Sequence, residues 1–470
     1  MTDRDTGAVR PNILLIVLDD FGYNDLAINN GSDSPTPNLD QLAREGLRFT
    51  RHYAESSCTP SRIALLTGRY PARLGFHPIR AGLSHEVETL ADVLSANGYN
   101  SHMIGKWHAG DTHQESRPEF QGFDHWFGFM NELYLAGPHK EGVYSRGRPT
   151  YHNPWLENEK GELQQHQGHL TDILSQHALA VMRTETDPWF IYLPYYAPHG
   201  PIEPATDYAR EFSDDSRGRF QALKSQLDTN IGRLLTQLRD SGQWRNTMVL
   251  VVSDNGGTGA AYPSNYPFPG VKVSNREGGI RTPLILSWPG HWEGGEIVDG
   301  ITMIFDIFPT IVAALGISAP AGIDGADIFA AQSPRVLRWF SHGQYVDTFA
   351  DIQSVLSANG LWRLNTRETW EDVEYALFKL PNNFNPGQKP EPVIDPGRVQ
   401  SLGVPMQSWI RDVTRIKDLA VADSDQWRAY SRNAFRRTPM LGTHSMGFVF
   451  RSDNRQGNGG GARTLVAQKG

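Results

Sequence analysis

The chain has 470 residues, a net charge of −8, 39% hydrophobic residues and 20% charged residues. That composition excludes a disordered chain, and the acidic balance disfavours a nucleic-acid partner unless a basic patch is concealed. A single cysteine, Cys58, excludes an intrachain disulfide, which agrees with a reducing compartment.

The N-terminal stretch MTDRDTGAVRPNILLIVLDD lacks the layout of a signal peptide, because its apolar run Ile13–Leu18 is short and ends in two aspartates. No stretch reaches transmembrane length. The expectation is a cytoplasmic protein without a membrane partner, or a periplasmic one if a leader has been removed.

In chain order, NILLIVLDD predicts a buried strand. TPNLDQLAREGLRFT predicts a helix, with Leu39, Leu42 and Leu47 on a helical period and Gly46 as its stop. TLADVLSANGYNSHMIGKWH predicts a helix, a stop at Gly98 and a strand. PWFIYLPYYAPHG is another apolar strand, and Phe220–Gly242 is a long amphipathic helix. NTMVLVVSDNGG is the next buried strand, GIRTPLILSWPG follows it, and Met303–Ile317 is a helix.

Strands that are apolar on both faces and alternate with helices predict an α/β domain, a large mostly parallel or mixed sheet flanked by helices. We assign it residues 1–330. Shorter, more alternating runs such as RVLRWFSHGQYVDTFA, GLWRLNT and YALFKLPNN predict hairpins in a smaller C-terminal α+β domain with an antiparallel sheet, residues 331–455. Residues 456–470 form a Gly-rich polar tail. Its Gly457, Gly459 and Ala462 mimic a dinucleotide fingerprint, but no strand precedes them.

Four predicted strands end in polar groups: Asp19-Asp20, Lys106-Trp107-His108, His199 and Asp254-Asn255. In open α/β sheets ligands bind outside the carboxyl ends of the strands. Three acids brought to one rim require a counter-charge, and oxygen donors suit Ca²⁺ or Mg²⁺ better than zinc. Any one of these residues alone reads as a helix N-cap. Two pairs, each opening on a glycine-containing loop (Gly22; Gly256-Gly257), read as metal ligands.

Most lone cysteines are packing residues. A phosphatase-type loop around Cys58 would need His before it and Arg six residues after, where Ser57 and Ala64 stand. A thiol at a helix N-terminus could be a reactive thiolate, yet a thiolate is a soft partner for a Ca²⁺-like ion.

The stretch CTPSRIALLTGR resembles the full signature of the type I sulfatases of the alkaline phosphatase superfamily, C-x-P-S-R-x-x-L-L-T-G-R. PNILLIVLDDFGYNDL resembles that family's first metal loop, GKWH its Lys/His pair, APHGPIEP its second histidine, SDNGG its second metal pair, and KVSNREGGIRTPLILSWPG the segment carrying a further lysine, Lys272. Order and spacing hold from about Pro11 to Gly290. Asn24 and Ala27 depart from the family's glycines, and little matches after Pro381.

The resemblance implies that Cys58 is converted to formylglycine, with CTPSR as the tag read by a formylglycine-generating enzyme. It implies a metal, Ca²⁺ or alternatively Mg²⁺, held by Asp19, Asp20, Asp254, Asn255 and the group at position 58. It further implies hydrated formylglycine as nucleophile, Lys106 and Lys272 on the sulfate oxygens, His199 as acid for the leaving alcohol, His108 acting on the remaining geminal hydroxyl, and Arg62 orienting the diol and offsetting negative charge. The partner is then a sulfated small molecule or saccharide; an oligomer is left open.

Between Phe123 and Trp155 stand Trp126, Phe127, Phe129, Tyr134, Tyr144, Tyr151 and Trp155, with Lys140, Arg146 and Arg148. They read equally as a stacking surface for a sugar or aryl group and as core. Two rivals accompany the sulfatase reading: a phosphodiester or phosphonate monoester hydrolase of the same superfamily, and a non-catalytic carbohydrate-binding relative.

Overall fold

The computed structural model describes residues 10–330 apart from 75–81, 112–113, 138–147 and 187, and beyond 330 only the backbones of five strands. Ten strands make the main sheet: β1 (Asn12–Leu18), β2 (Leu47–Tyr53), β3 (Asn100–Lys106), β4 (His125–Phe129), β5 (Trp155–Asn158), β6 (Leu163–Gln165), β7 (Trp189–Pro194), β8 (Thr247–Ser253), β9 (Leu284–Ser287) and β10 (Glu296–Met303). Their order is β10-β2-β9-β8-β1-β7-β3-β4-β5-β6. The central run β8-β1-β7-β3-β4 is parallel, while β9, β5 and β6 pair antiparallel, so the sheet is mixed.

Alternation along β1 builds two cores, because successive side chains leave opposite faces of a strand. Ile13, Leu15 and Val17 pack with Ile63 and Leu66 of helix Cys58–Thr67. Leu14, Ile16 and Leu18 pack with Leu174 of helix Leu170–Thr184 and with Leu227 and Ile231 of helix Ser216–Asp240. All seven residues of β1 and of β8 are buried, as unbroken apolar runs covered on both faces should be.

The helix at 216–240 starts where Asp215 accepts a hydrogen bond from the Gly218 amide (2.7 Å). It also steadies the loop after β1. The buried Lys224 Nζ donates to Asp25 Oδ1 and Ser34 Oγ, both at 2.9 Å, and lies 3.8 Å from the Tyr262 ring centroid.

Three details differ from the sequence reading. The helix is Pro37–Glu45 and stops at Gly46 as expected, but Leu47, counted on its period, instead begins strand β2. β7 ends at Pro194, so His199 sits on the following loop rather than at the strand end. Trp126, Phe129 and Tyr151 are fully buried, so the core reading holds for them and they offer no stacking face. Tyr144, Lys140 and Arg146 lie outside the described residues.

Beyond 330, strands Leu337–Ser341, Ile352–Leu356, Trp362–Glu368, Val373–Lys379 and Glu391–Pro392 form a five-stranded antiparallel sheet in chain order. This agrees with the expected smaller antiparallel unit. The boundary at 330 stands as our proposal, and the stretch 393–455 and the tail 456–470 lie outside the described residues. No helix among the described residues is long and apolar enough to cross a membrane.

Candidate active site

Strand register brings the two acidic pairs together. Leu18 of β1 lies opposite Ser253 of β8, so Asp19-Asp20 and Asp254-Asn255 leave the sheet side by side. The Asp254 amide donates to Leu18 O (3.1 Å), and the Asp20 amide to Asp254 Oδ1 (3.2 Å). The loops must pass close to neighbouring backbone: a Cβ on Gly22 would strike the Ser264 carbonyl, and one on Gly256 the Gly278 carbonyl.

Three cations answer the three acids. Lys106, at the end of β3 and wholly buried, donates to Asp19 Oδ2 at 2.6 Å. Arg62, also wholly buried, reaches Asp254 Oδ2 through Nε (3.1 Å) and Nη2 (2.8 Å), Asp19 Oδ2 through Nη2 (3.2 Å), and the Lys106 carbonyl through Nη1 (2.8 Å). Its donors are thus aimed at the carboxylates rather than at Cys58, which supports charge offset and not direct orientation of the group at position 58. Lys272 Nζ lies 2.6 Å from Asp20 Oδ1 and 3.0 Å from Cys58 Sγ. Burial alone would raise the Asp19 carboxyl, but Lys106, His199 and Arg62 outweigh it and hold it well below the usual range. Burial and the neighbouring Asp19 push Asp254 up against the pull of Arg62.

Cys58 is the first residue of helix Cys58–Thr67 and is buried, with Sγ 3.5 Å from Asp19 Oδ1. Burial, Asp19 and Asp254 push its thiol well up despite Lys272 and Lys106. These surroundings favour the thiol over the thiolate for the unmodified side chain. Left-handed backbone is concentrated around it. Asp20 (φ 61), His108 (φ 53) and Val273 (φ 66) take positive φ. For a β-branched residue this costs about 1–3 kcal/mol, and such strain gathers at functional sites. Bonds from the Val273 amide to Ser56 O (2.6 Å) and from the Lys272 amide to Gly257 O (3.1 Å) hold that conformation and turn Lys272 inward.

The residues fit a hard divalent cation. Asp19, Asp20, Cys58 and His199 each offer a ligand atom within 4.8 Å of the others. Asn255 Nδ2 donates to Asp20 Oδ1 (2.7 Å) and Gly256 O (2.9 Å), while its buried Oδ1 has no hydrogen-bond partner among the described residues. A buried acceptor left bare beside three carboxylates is costly unless a cation meets it. Asp254 is committed to Arg62 and the Asp20 amide, yet remains beside the group. His199, which the sequence reading kept out of the ligand set, lies within reach of these carboxylates.

His108 and His199 flank the lysines. The His108 amide is tied to Met130 O (2.8 Å), its Nδ1 is buried without a partner, and burial together with Lys106 keeps the ring well below the usual histidine range. His199 Nδ1 pairs with Gly200 O (2.7 Å), and Nε2 is 3.6 Å from Asp20 Oδ2. A ladder of rings stands behind His199: His169 on Tyr151, Tyr151 on Tyr196, Tyr196 on His199, at centroid distances of 5.1, 5.0 and 4.8 Å. The Tyr151 hydroxyl donates to the carbonyls of Tyr196 (3.0 Å) and His199 (2.8 Å). The sequence reading counted Tyr151 as a candidate surface ring; its work here is to fix the loop.

Glu132 escaped the sequence reading. Its Oε2 is buried 3.8 Å from Lys106 Nζ and makes no hydrogen bond among the described residues. Burial would raise it, but Lys106 holds it down at about 2. It follows β4 at the same carboxyl rim, and the strand-end rule extended to β4 would have found it.

Glu55, three residues before Cys58, is buried, and burial pushes its carboxyl up to about 8 from the ordinary 4.5. The fold therefore favours its protonated form. That contribution is complete below pH 4.5 and is lost as pH rises through 8. Glu55→Gln, which mimics the protonated acid, is expected to be more stable than the parent by about 2–4 kcal/mol at pH 8 and equally stable at pH 4.5. Urea midpoints at the two pH values check this; an equal gain at both would refute it.

The arrangement, a buried helix-start side chain among acids, lysines and an orphan amide oxygen at a sheet's carboxyl rim, defines a class of hydrolases. The Sulfatase family model matches residues 11–317, and the chain belongs to the sulfatase family of the alkaline phosphatase superfamily, enzymes that hydrolyse sulfate esters. Among its relatives, N-acetylgalactosamine-6-sulfatase of Mus musculus is 34% identical over 421 residues, 80% of this chain and 76% of that protein. Arylsulfatase A of Homo sapiens is 34% identical over 352 residues, 68% and 67% of the two chains. The crystal structure of Ps i-CgsB in complex with k-i-k-neocarrahexaose superposes with a TM-score of 0.73 at 26% identity, covering 86% of this chain and 93% of that one.

Proposed function

We propose that this sulfatase hydrolyses a sulfate monoester of a carbohydrate, using formylglycine made from Cys58 by an enzyme that reads the CTPSR tag. The observation that carries the reading is the convergence of Cys58 Sγ, Lys272 Nζ and the Asp19 and Asp20 carboxylates beside the orphaned Asn255 Oδ1. The saccharide is favoured by the names of N-acetylgalactosamine-6-sulfatase and of the oligosaccharide-bound structural neighbour.

Asp19, Asp20, Asp254 and Asn255 would hold Ca²⁺ or Mg²⁺. When bound, the ion lowers the pKa of a hydroxyl at position 58 and offsets charge on the sulfate. Lys106 and Lys272 bind the sulfate oxygens as fixed charges, which cost no reorganisation when charge moves in the reaction. With His199 Nδ1 engaged by the Gly200 carbonyl, Nε2 is the ring nitrogen left to face the leaving oxygen, and the imidazolium form of the ring would deliver its Nε2 proton there. His108, kept neutral with a bare Nδ1, is suited to accept a proton at the end of the cycle. Arg62 holds Asp19 and Asp254 in place and offsets their charge.

The test uses purified protein co-produced with a formylglycine-generating enzyme. Intact mass should fall by about 18 Da, the loss that conversion of Cys to formylglycine brings. The value of kcat/KM should be higher on 4-nitrophenyl sulfate than on a matched nitrophenyl phosphonate ester. EDTA should lower it by about 10²-fold or more, with recovery on adding Ca²⁺ or Mg²⁺. A preference for the phosphonate would transfer the assignment to the phosphonate hydrolases of the same superfamily.

A further inference from the structure

Glu132 poses a problem for any anionic substrate. Its carboxylate oxygen Oε2 lies 3.8 Å from Lys106 Nζ, the lysine assigned to the sulfate. That separation is too long for a hydrogen bond. Lys106 does not need it as a counter-ion, because Asp19 Oδ2 is already 2.6 Å away. A second negative charge in this position repels a sulfate group, and Oε2 is buried without a donor. Left so, the carboxylate bears both the loss of water and the repulsion.

The surrounding chain holds Glu132 in place. The Trp107 and His108 amides donate to the carbonyls of Phe129 (2.9 Å) and Met130 (2.8 Å), which ties the exit of β4 to the lysine–histidine segment. Asn131 caps the following turn by accepting from the Leu133 amide (2.9 Å), and its Nδ2 donates to Asp111. Oε2 is buried, while 31% of the Glu132 side chain as a whole is exposed. A rigidly mounted carboxylate with a vacant acceptor next to the sulfate-binding lysine is what a neutral donor on the substrate would complete.

We propose that Glu132 is a specificity-determining residue that accepts a hydrogen bond from a ring hydroxyl of the sugar close to the sulfate ester, and thereby favours saccharide sulfates over aryl sulfates. This rests on the sulfatase reading above. A sugar hydroxyl supplies the missing donor and screens the carboxylate from the sulfate. A phenyl ring supplies no donor and leaves the repulsion in place. A site whose buried polar group is left unpaired discriminates strongly against the ligand that fails to pair it.

The experiment compares Glu132→Leu, which removes the acceptor, with Glu132→Gln, which keeps an acceptor without charge. Galactose 6-sulfate and N-acetylgalactosamine 6-sulfate serve as sugar probes and phenyl sulfate as the donor-free probe. In the converted enzyme, Glu132→Leu should lower kcat/KM on at least one sugar sulfate by about 10–100-fold, the range of a hydrogen bond to a charged group. Activity on the aryl ester should be unchanged or higher, and Glu132→Gln should recover part of the sugar activity. Titration calorimetry in a Cys58→Ala background should show the same split in Kd. Because that readout needs no turnover, failure of the sulfatase reading (no sulfate ester cleaved) is told apart from failure of this one. Equal changes on sugar and aryl probes, or no change on either, would overturn the role of Glu132.

Discussion

Cys58→Ala is expected to reduce kcat/KM on any sulfate ester by about 10⁴-fold or more, the scale seen when a nucleophile is removed and only binding groups remain. The fold should survive. The change removes one heavy atom from a buried position at the start of a ten-residue helix, worth about 1 kcal/mol. Asp20 retains Lys272 at 2.6 Å, so no acid loses its nearest cation. Circular dichroism and a urea midpoint close to the parent's should accompany the lost activity. Turnover retained in this variant would remove position 58 from the chemistry.

Arg62→Leu carries the second large effect, and here stability and activity fall together. The guanidinium is wholly buried and answers two wholly buried carboxylates, at 2.8 Å for Asp254 and 3.2 Å for Asp19. Removing one partner of a buried ion pair leaves uncompensated charge, at a cost of about 3–5 kcal/mol. Lys106 remains on Asp19, so the loss falls mainly on Asp254. Urea unfolding in EDTA should show the drop, and activity with metal restored should also be lost, because Asp254 would no longer be held as an ionised ligand. Arg62→Lys should be intermediate in stability, since a single ammonium cannot reproduce the fork that spans Asp254, Asp19 and the Lys106 carbonyl. An unchanged midpoint in Arg62→Leu would refute this account of the arginine.

Much of the site could be read from residues alone, for a physical reason. A strand buried on both faces must be apolar throughout, so β1 and β8 stand out, and the polar residues that follow them mark the rim. The signature around Cys58 is local, because the helix start and the modification tag are contiguous. Other features were hidden because their meaning depends on partners distant in sequence. Leu47 falls on the period of the preceding helix, and its place in a strand is decided by β9 and β10 pairing on either side of β2. Trp126, Phe129 and Tyr151 read equally as a stacking surface and as core, and the folded chain buries them.

The sequence by itself determined the class of fold, the family signature around Cys58 and the kinds of charge at the rim, because these reside in hydrophobic period and contiguous motif. Only the tertiary structure decided how those charges are apportioned. It set Arg62 against Asp254 and Asp19 rather than Cys58, brought His199 in among the carboxylates, and left Asn255 Oδ1 and Glu132 Oε2 without donors. The physical reason is range: ion pairs and hydrogen bonds act over a few ångströms, and which residues come within that distance is settled by strand register and loop geometry, not by order along the chain.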